Sequence, residues 1–396
     1  MNQAALQNNS LLRLIILRNI LSYGPLQTPI QLGPLNILIG PNGSGKSNLI
    51  EAIALVRASA NDLRSVIRRG GGVHEWIWKG NQQQPAVVEV IVSNPSGSQP
   101  LRHRLAFRSE QQSFRLDDEC IENETAYSGQ TEPYFYYRYQ QGYPVLNVKG
   151  EGQRKLAQEH IQPDLSILAQ RRDPEIYPEI FYLISEYEKI RIYREWSFGR
   201  NAVFREPQKV DLRNDRLEED FSNLGLFLNR LRRIPKAKKA LLTALGDLYD
   251  GLDDFDVSIE GGTVQVFFTE GNFVIPATRL SDGTLRYLCL LAILLDPAPP
   301  PLICIEEPEL GLHPDILPRL ADLMVEASER TQLIVTTHSD ILVDALTEQP
   351  ESILVCEKHD GQSDIQRLDP QKLTHWLEKY RLGELWTRGE LGGTRW

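Results

Sequence analysis

The sequence predicts an α/β fold assembled from both ends of the chain, with an α+β unit inserted between them. Three observations carry this expectation. Leu35–Ile39 is a short apolar strand that runs into a glycine-rich turn and then a helical pattern. From about residue 100 to 260 the alternation of strand and helix gives way to a meander and charge-rich helices. From about 260 the alternation returns. The expected division is therefore 1–100 with 260–396 as one split domain, and 101–259 as an inserted lid.

Along the first part, Leu11–Ile20 is rich in aliphatic and β-branched residues and reads as a strand. Ser47–Ser65 reads as a helix, because Leu49, Ile50, Ile53, Val56 and Leu63 recur near 3.6-residue spacing. Val87–Val92 is a strand, closed by a turn at Pro95–Ser98. In the middle, Leu101–Phe114 and Tyr134–Tyr139 read as meander strands, and 151–195 and 216–250 as helices. Beyond 260, Val264–Phe268 and Phe273–Ile275 are strands and Leu285–Leu295 a helix. Asp296–Pro301 is a stiff loop, Leu302–Ile305 a buried strand and Pro318–Ser328 a helix. Leu333–Thr336 and Ile353–Cys356 are further strands.

Composition removes several classes. Of 396 residues, 41% are hydrophobic and 24% charged, which excludes wholesale disorder. The longest apolar runs, Leu11–Leu17 and Leu288–Leu295, fall short of the ~20 residues of a membrane span. MNQAALQNNS lacks the basic and apolar regions of a signal peptide, so the chain reads as cytoplasmic with no membrane partner. The four cysteines (Cys120, Cys289, Cys304, Cys356) form no CxxC pair and read as reduced, buried thiols. A net charge of −10 argues against coating nucleic acid through bulk charge, although a local basic groove is compatible with it.

Four motifs carry chemistry. Gly40-Pro41-Asn42-Gly43-Ser44-Gly45-Lys46-Ser47 fits the phosphate-binding loop pattern GxxxxGK[ST], and Asn48 adjoins it. Its glycines let backbone N–H groups converge on phosphate oxygens, at a helix N-terminus that adds a positive dipole end. Lys46 is expected to reach the β- and γ-phosphates of ATP and Ser47 to ligate Mg²⁺. Leu302–Ile305 ends in Glu306-Glu307-Pro308-Glu309, where one carboxylate suits Mg²⁺ and the next can orient or deprotonate an attacking water. Ser281-Asp282-Gly283 opens a helix and suits a second phosphate-facing cap, though an ordinary N-cap looks the same. His338 ends a strand expected beside that of Glu306, which favours a γ-phosphate contact.

In this order the motifs resemble the ABC-type P-loop ATPase heads of the SMC, RecF and OLD group. IEEPELGLHP (Ile305–Pro314), TTHSD and the tail from Gly383 to Trp396 are similar to stand-alone bacterial RecF-like predicted AAA-type ATPases. The resemblance covers about 1–95 and 260–396. It implies an ATPase head that pairs head-to-tail as a homodimer and buries two ATP. Each ATP would lie between Gly40–Ser47 of one copy and Ser281–Gly283 of the other. It makes Glu306 a Mg²⁺-associated group, Glu307 the catalytic base and His338 the γ-phosphate sensor. It also implies a role in DNA repair or maintenance, or in defence against foreign DNA such as phage, with double-stranded DNA as a partner. The alternative is an ATPase scaffold that regulates an effector protein, a toxin or nuclease.

The departures are specific. No Q-loop glutamine can be placed, since Gln82–Gln84 read equally as a polar turn. Arg18 and Asn19 stand where relatives contact nucleotide. The interval from Ser47 to Leu280 is too short for SMC arms, and RecF carries Asp where this chain has Glu306. LSDGT differs from the LSGGQ of transporter subunits. Arg230–Lys239 holds six basic residues and suits either a nucleic-acid contact or a solvated helix end. Tyr134–Tyr139 suits base stacking less well than a packed strand. Cys356–Asp360 stands where OLD-type nucleases begin a metal-binding domain, but the stretch after His338 is too short for one.

Overall fold

A computed structural model describes residues 10–393 except 27, 141–142, 149, 151, 157–161, 197–198, 200–201 and 203–204. Residues 1–9 and 394–396, which hold the signal-peptide reading and the end of the tail motif, lie outside the described residues. The chain divides into two compact units: Met1–Ile190 with Glu351–Lys372 and Arg388–Trp396, and Arg191–Pro350 with Leu373–Thr387.

The first unit holds an eight-stranded antiparallel sheet. Its order is Ile30–Gln31, Leu12–Arg18, Ala86–Val92, Leu101–Glu110, Ser113–Asn123, Phe135–Gln140, Tyr143–Val148 and Gly152–Lys155. Ala86–Val92 pairs with Leu101–Glu110 along its whole length, so the expected boundary at residue 100 falls inside one sheet. The predicted strand Leu101–Phe114 is instead a hairpin. Gln111 and Gln112 have φ of 49° and 66°, the left-handed pair that a tight two-residue turn requires. Leu35–Ile39 is buried at every position and pairs in parallel with Ile353–His359. A strand apolar on both faces suits that pairing.

The helix expected over Ser47–Ser65 breaks in two. Lys46–Ser59 ends at Ala60, and Leu63–Arg69 starts anew because the Asp62 carboxylate accepts from the Arg64 N–H. The helix expected over 151–195 is corrected more strongly. The described parts are the Gly152–Lys155 strand, one helical turn at Ile167–Gln170, the helix Pro178–Lys189 and the strand Arg191–Tyr193. Pro178 and Pro235 each sit at N1 of a helix, where the missing N–H costs nothing. Pro235 thereby splits the helix expected over 216–250 into Leu224–Arg232 and Pro235–Gly246.

A buried polar cluster ties this unit's sheet to its helices. The Glu119 carboxylate accepts from the Ile167 N–H at 2.9 Å and from the Ser166 hydroxyl. His103 lies against Glu119 and, at 3.1 Å, the Tyr187 hydroxyl. All four side chains are at most 1% exposed. At such depth each polar atom needs a partner.

In the second unit, Arg191–Tyr193, Leu302–Glu306 and Gln332–Thr336 pair in parallel. A four-stranded sheet joins Gln208–Lys209, Leu252–Glu260, Thr263–Glu270 and Phe273–Pro276; its Leu252–Glu260 strand was not anticipated. Half of the basic run is spent on neighbouring acids. Arg230 bonds to Asp296 at 2.8 Å and lies over Phe227, Lys238 reaches Asp254 at 2.7 Å, and Arg232 pairs with Asp256. The aromatic run behaves as a packed strand: Tyr137 and Tyr139 are buried, and Arg138 lies over Phe135 while bonding to Glu122 and Glu132.

All four cysteines are buried and outside any disulfide. Burial pushes the Cys356 thiol up to about 12, and it raises Cys120 and Cys289 as well. At pH 8 none of these three forms an appreciable thiolate. A thiol-reactive dye at that pH should therefore find almost no reactive cysteine in the native protein and four after denaturation. Rapid labelling of the native chain would contradict this packing.

Candidate nucleotide site

The first unit carries the phosphate loop as one formed element. Leu35–Ile39 delivers the chain into Gly40–Gly45, and the helix Lys46–Ser59 leaves it. Two glycines are obligatory. Gly40 has φ of 143°, and a Cβ there would run into the carbonyl oxygen of Cys356. Gly45 has φ of 106°, and a Cβ would strike the Ser363 hydroxyl. Gly45 is also the helix N-cap, so the cap residue has no side chain to compete for the first-turn N–H groups. That is what a bound phosphate exploits. Asn42 and Ser47 are exposed, whereas Ser44 and Lys46 are buried. Lys46 Nζ donates to Gly40 O at 2.7 Å and Pro41 O at 3.1 Å, so it folds along the loop.

The loop stands on residues that the motif does not contain. The buried Tyr23 hydroxyl donates to Gly45 O at 2.9 Å; burial raises its pKa, which keeps the donor protonated. Ser363 Oγ donates to Ser22 Oγ at 2.6 Å, and Asn48 Nδ2 donates to the same oxygen at 2.7 Å. The Asn48 amide thus braces the loop's support. Gln82–Gln84 behave as a polar turn, because buried Asn19 donates from Nδ2 to Asn81 O and Gln84 O, both at 2.8 Å. Arg18 lies 4.0 Å from Glu89.

The second unit brings Glu306, Glu307 and His338 together. Parallel pairing aligns Glu306 with Thr336, so the chain leaves both strands at one end. Glu307 has φ of 45°, a costly conformation for a residue with a side chain. Its N–H donates to Thr336 O at 3.0 Å, and its carbonyl accepts from Arg286 Nη2 at 2.7 Å. His338 Nε2 lies 3.7 Å from Glu307 Oε1. The Glu309 carboxylate accepts from the His338 N–H at 2.7 Å, and burial raises its pKa. The Glu306 carbonyl accepts from Trp196 Nε1 at 2.8 Å, and its carboxylate lies 3.8 Å from Arg194 Nε.

In the Leu280–Thr284 segment, Ser281 is the N-cap of the helix Asp282–Leu294 and accepts from the Thr284 N–H at 3.1 Å. Gly283 has no room for a Cβ, which would come 2.9 Å from Gly311 O. Arg205 bonds to Asp282. Sequence reading missed Tyr23, Trp196, Arg205, Arg286 and Ser363. Only Arg286 left a signal, as a lone arginine within the apolar helix Leu285–Leu295; it is 3% exposed.

Arg286 lies 4.4 Å over the Trp196 ring, and burial lowers its pKa to about 10, so it stays charged at neutral pH. Arg286→Met should remove a charge-assisted bond to Glu307 O and the ring contact, lowering stability by about 2 kcal/mol. Urea denaturation measures this; an unchanged midpoint would show that Arg286 is not what holds the Glu307 turn.

A family model described as "AAA domain, putative AbiEii toxin, Type IV TA system" matches residues 35–344. No curated protein matches by sequence. Among solved structures, the chain is similar to an Smc head bound to the C-terminal winged-helix domain of ScpA, with TM-score 0.58 and 16% identity over 91% of this chain and 99% of that one. It is also similar to the Pyrococcus furiosus Smc head with an extended coiled coil, bound to the C-terminal domain of ScpA. There the TM-score is 0.57 and the identity 15%, over 93% of this chain and 99% of that one. At such identities the likeness concerns the fold, that of an ABC-type P-loop ATPase head, and with the match over 35–344 the chain belongs to the AAA domain family so described.

Proposed function

We propose that this chain binds and hydrolyses ATP with Mg²⁺ and works as a switch, two copies pairing head-to-tail around two ATP. The observation that carries the reading is the Gly40–Ser47 loop, whose Gly40 and Gly45 leave no room for a Cβ and whose helix has a glycine as its N-cap. Gly40, Asn42, Gly43, Ser44 and Gly45 would wrap the phosphates with backbone N–H groups, Pro41, which has none, would shape the loop between them, and Lys46 would turn from its loop carbonyls onto them. Ser47 and Glu306 would hold Mg²⁺, which supplies charge neutralisation on the phosphates. Glu307 would orient and deprotonate water, with His338 beside it sensing the γ-phosphate. Ser281, Asp282 and Gly283 would face the partner copy's ATP. Asn48 supports the loop. Hydrolysis then separates the pair, a two-state device.

The process served is proposed as DNA repair or maintenance, or defence against foreign DNA, in the cytoplasm. A second reading, an ATPase that regulates a toxin or nuclease partner, gains weight from one observation. Arg230, Arg232 and Lys238 are paired with Asp296, Asp256 and Asp254, which halves the basic run available to a phosphate backbone. The Smc heads that resemble this chain are seen bound to a protein, ScpA.

Steady-state ATP hydrolysis with and without double-stranded DNA tests both. Lys46→Ala should abolish ATP binding. Glu307→Gln should keep binding, slow hydrolysis by about 100-fold or more and trap a dimer in sedimentation. Wild-type turnover in Glu307→Gln would refute the catalytic assignment. Stimulation by DNA favours direct action on DNA; Glu307-dependent turnover indifferent to DNA favours the effector reading.

A further inference from the structure

Asp282 poses an electrostatic problem for the nucleotide reading. It stands in the first helical turn after Ser281, where that reading brings a triphosphate, and a carboxylate facing a polyanion is repelled. A counter-charge comes from outside the motif. Arg205 Nη2 donates to Asp282 Oδ1 at 2.5 Å and to Leu280 O at 2.9 Å, while Nη1 donates to Thr278 O at 2.6 Å. Thr278–Leu280 is the turn that leads directly into Ser281. The guanidinium therefore covers the three acceptors that give this approach its negative character. Arg205 is 13% exposed and Asp282 48%, so the cation is packed into the loop while the acid still meets solvent. The Gly199 N–H adds to the lowering of the Asp282 pKa. Arg205 above all holds the Asp282 carboxyl below its usual range, so it is ionised at neutral pH and its neutralisation depends on the arginine.

We infer that Arg205 is the positioning residue of the Leu280–Thr284 segment: it neutralises Asp282 and pins the preceding turn, so that Ser281 and the helix N-terminus meet the partner copy's triphosphate without opposing charge. The inference rests on the ATP-dependent pairing proposed above. A purely structural pin would need only the bonds to Thr278 O and Leu280 O. The two roles separate when the acid is removed.

The experiment compares Arg205→Ala, Asp282→Asn and the double variant, each with Glu307→Gln to hold ATP, using sedimentation to measure ATP-dependent dimerisation. A fluorescent ATP analogue tests nucleotide binding by each. Arg205→Ala should weaken dimerisation by about tenfold, and the double variant should return to the level of Asp282→Asn alone. Raising salt from about 0.05 to about 0.5 M should narrow the Arg205→Ala defect, because screening weakens like-charge repulsion. Analogue binding should survive in all three. Should Arg205→Ala misfold, Arg205→Gln, which removes the charge but keeps a donor, takes its place. A double variant as defective as Arg205→Ala, or a defect indifferent to salt, would overturn the charge role. An Arg205→Ala protein that dimerises like its parent would overturn the inference entirely. If the parent binds ATP but never dimerises, the pairing model fails first and the inference with it; if it binds no ATP, the nucleotide reading itself fails.

Discussion

Glu307 adopts a left-handed backbone that a residue with a Cβ enters at a cost of about 1–2 kcal/mol. Such a conformation persists only where the surroundings over-determine it. Here the N–H is held by Thr336 on the neighbouring strand and the carbonyl by Arg286 on the helix Asp282–Leu294. One residue earlier, the carbonyl of Glu306 is held by Trp196. Trp196 in turn stacks on Phe221 and carries Arg286 on its ring. The turn that aims the two carboxylates is therefore fixed by three separate segments. Relaxing Glu307 to an ordinary φ would break the bonds on either side of it, so the strain and the aim of the side chain are one property.

The phosphate loop shows the same logic with the opposite means. There the unusual backbone is carried by glycine, so the conformation itself is nearly free of strain. The cost falls on tolerance instead, because Cys356 O and Ser363 Oγ crowd Gly40 and Gly45. Ser22 and Ser363, 341 positions apart, share a hydroxyl contact under the loop. The strand after residue 350 is thus part of the loop's foundation.

What was legible in the sequence follows from where each signal lives. A strand buried on both faces, such as Leu302–Glu306, is readable from its own composition, as is a glycine pattern that must precede a helix. The breaks were harder. Ala60–Asp62 ends a helix that its apolar spacing alone would continue, because a capping carboxylate outweighs periodicity over one turn. Gly152–Lys155 carries no apolar face at all, and it is a strand only because Tyr143–Val148 offers it an edge. The supports of the site were illegible for a related reason. Trp196, Arg205 and Tyr23 act through backbone carbonyls that are distant in sequence, and a carbonyl leaves no trace in residue identity.

The charges in the second unit also constrain its chemistry. Arg194, Arg205 and Arg286 approach Glu306, Asp282 and the Glu307 carbonyl, so its cations near these motifs are engaged by acceptors already present. What that unit brings is acid: Glu306, Glu307 and the buried Glu309. The first unit brings the reverse, a lysine and a helix start without a capping side chain. Phosphoryl transfer requires both cationic or dipolar stabilisation of the phosphates and a carboxylate to handle metal and water. Neither unit's motif residues supply both.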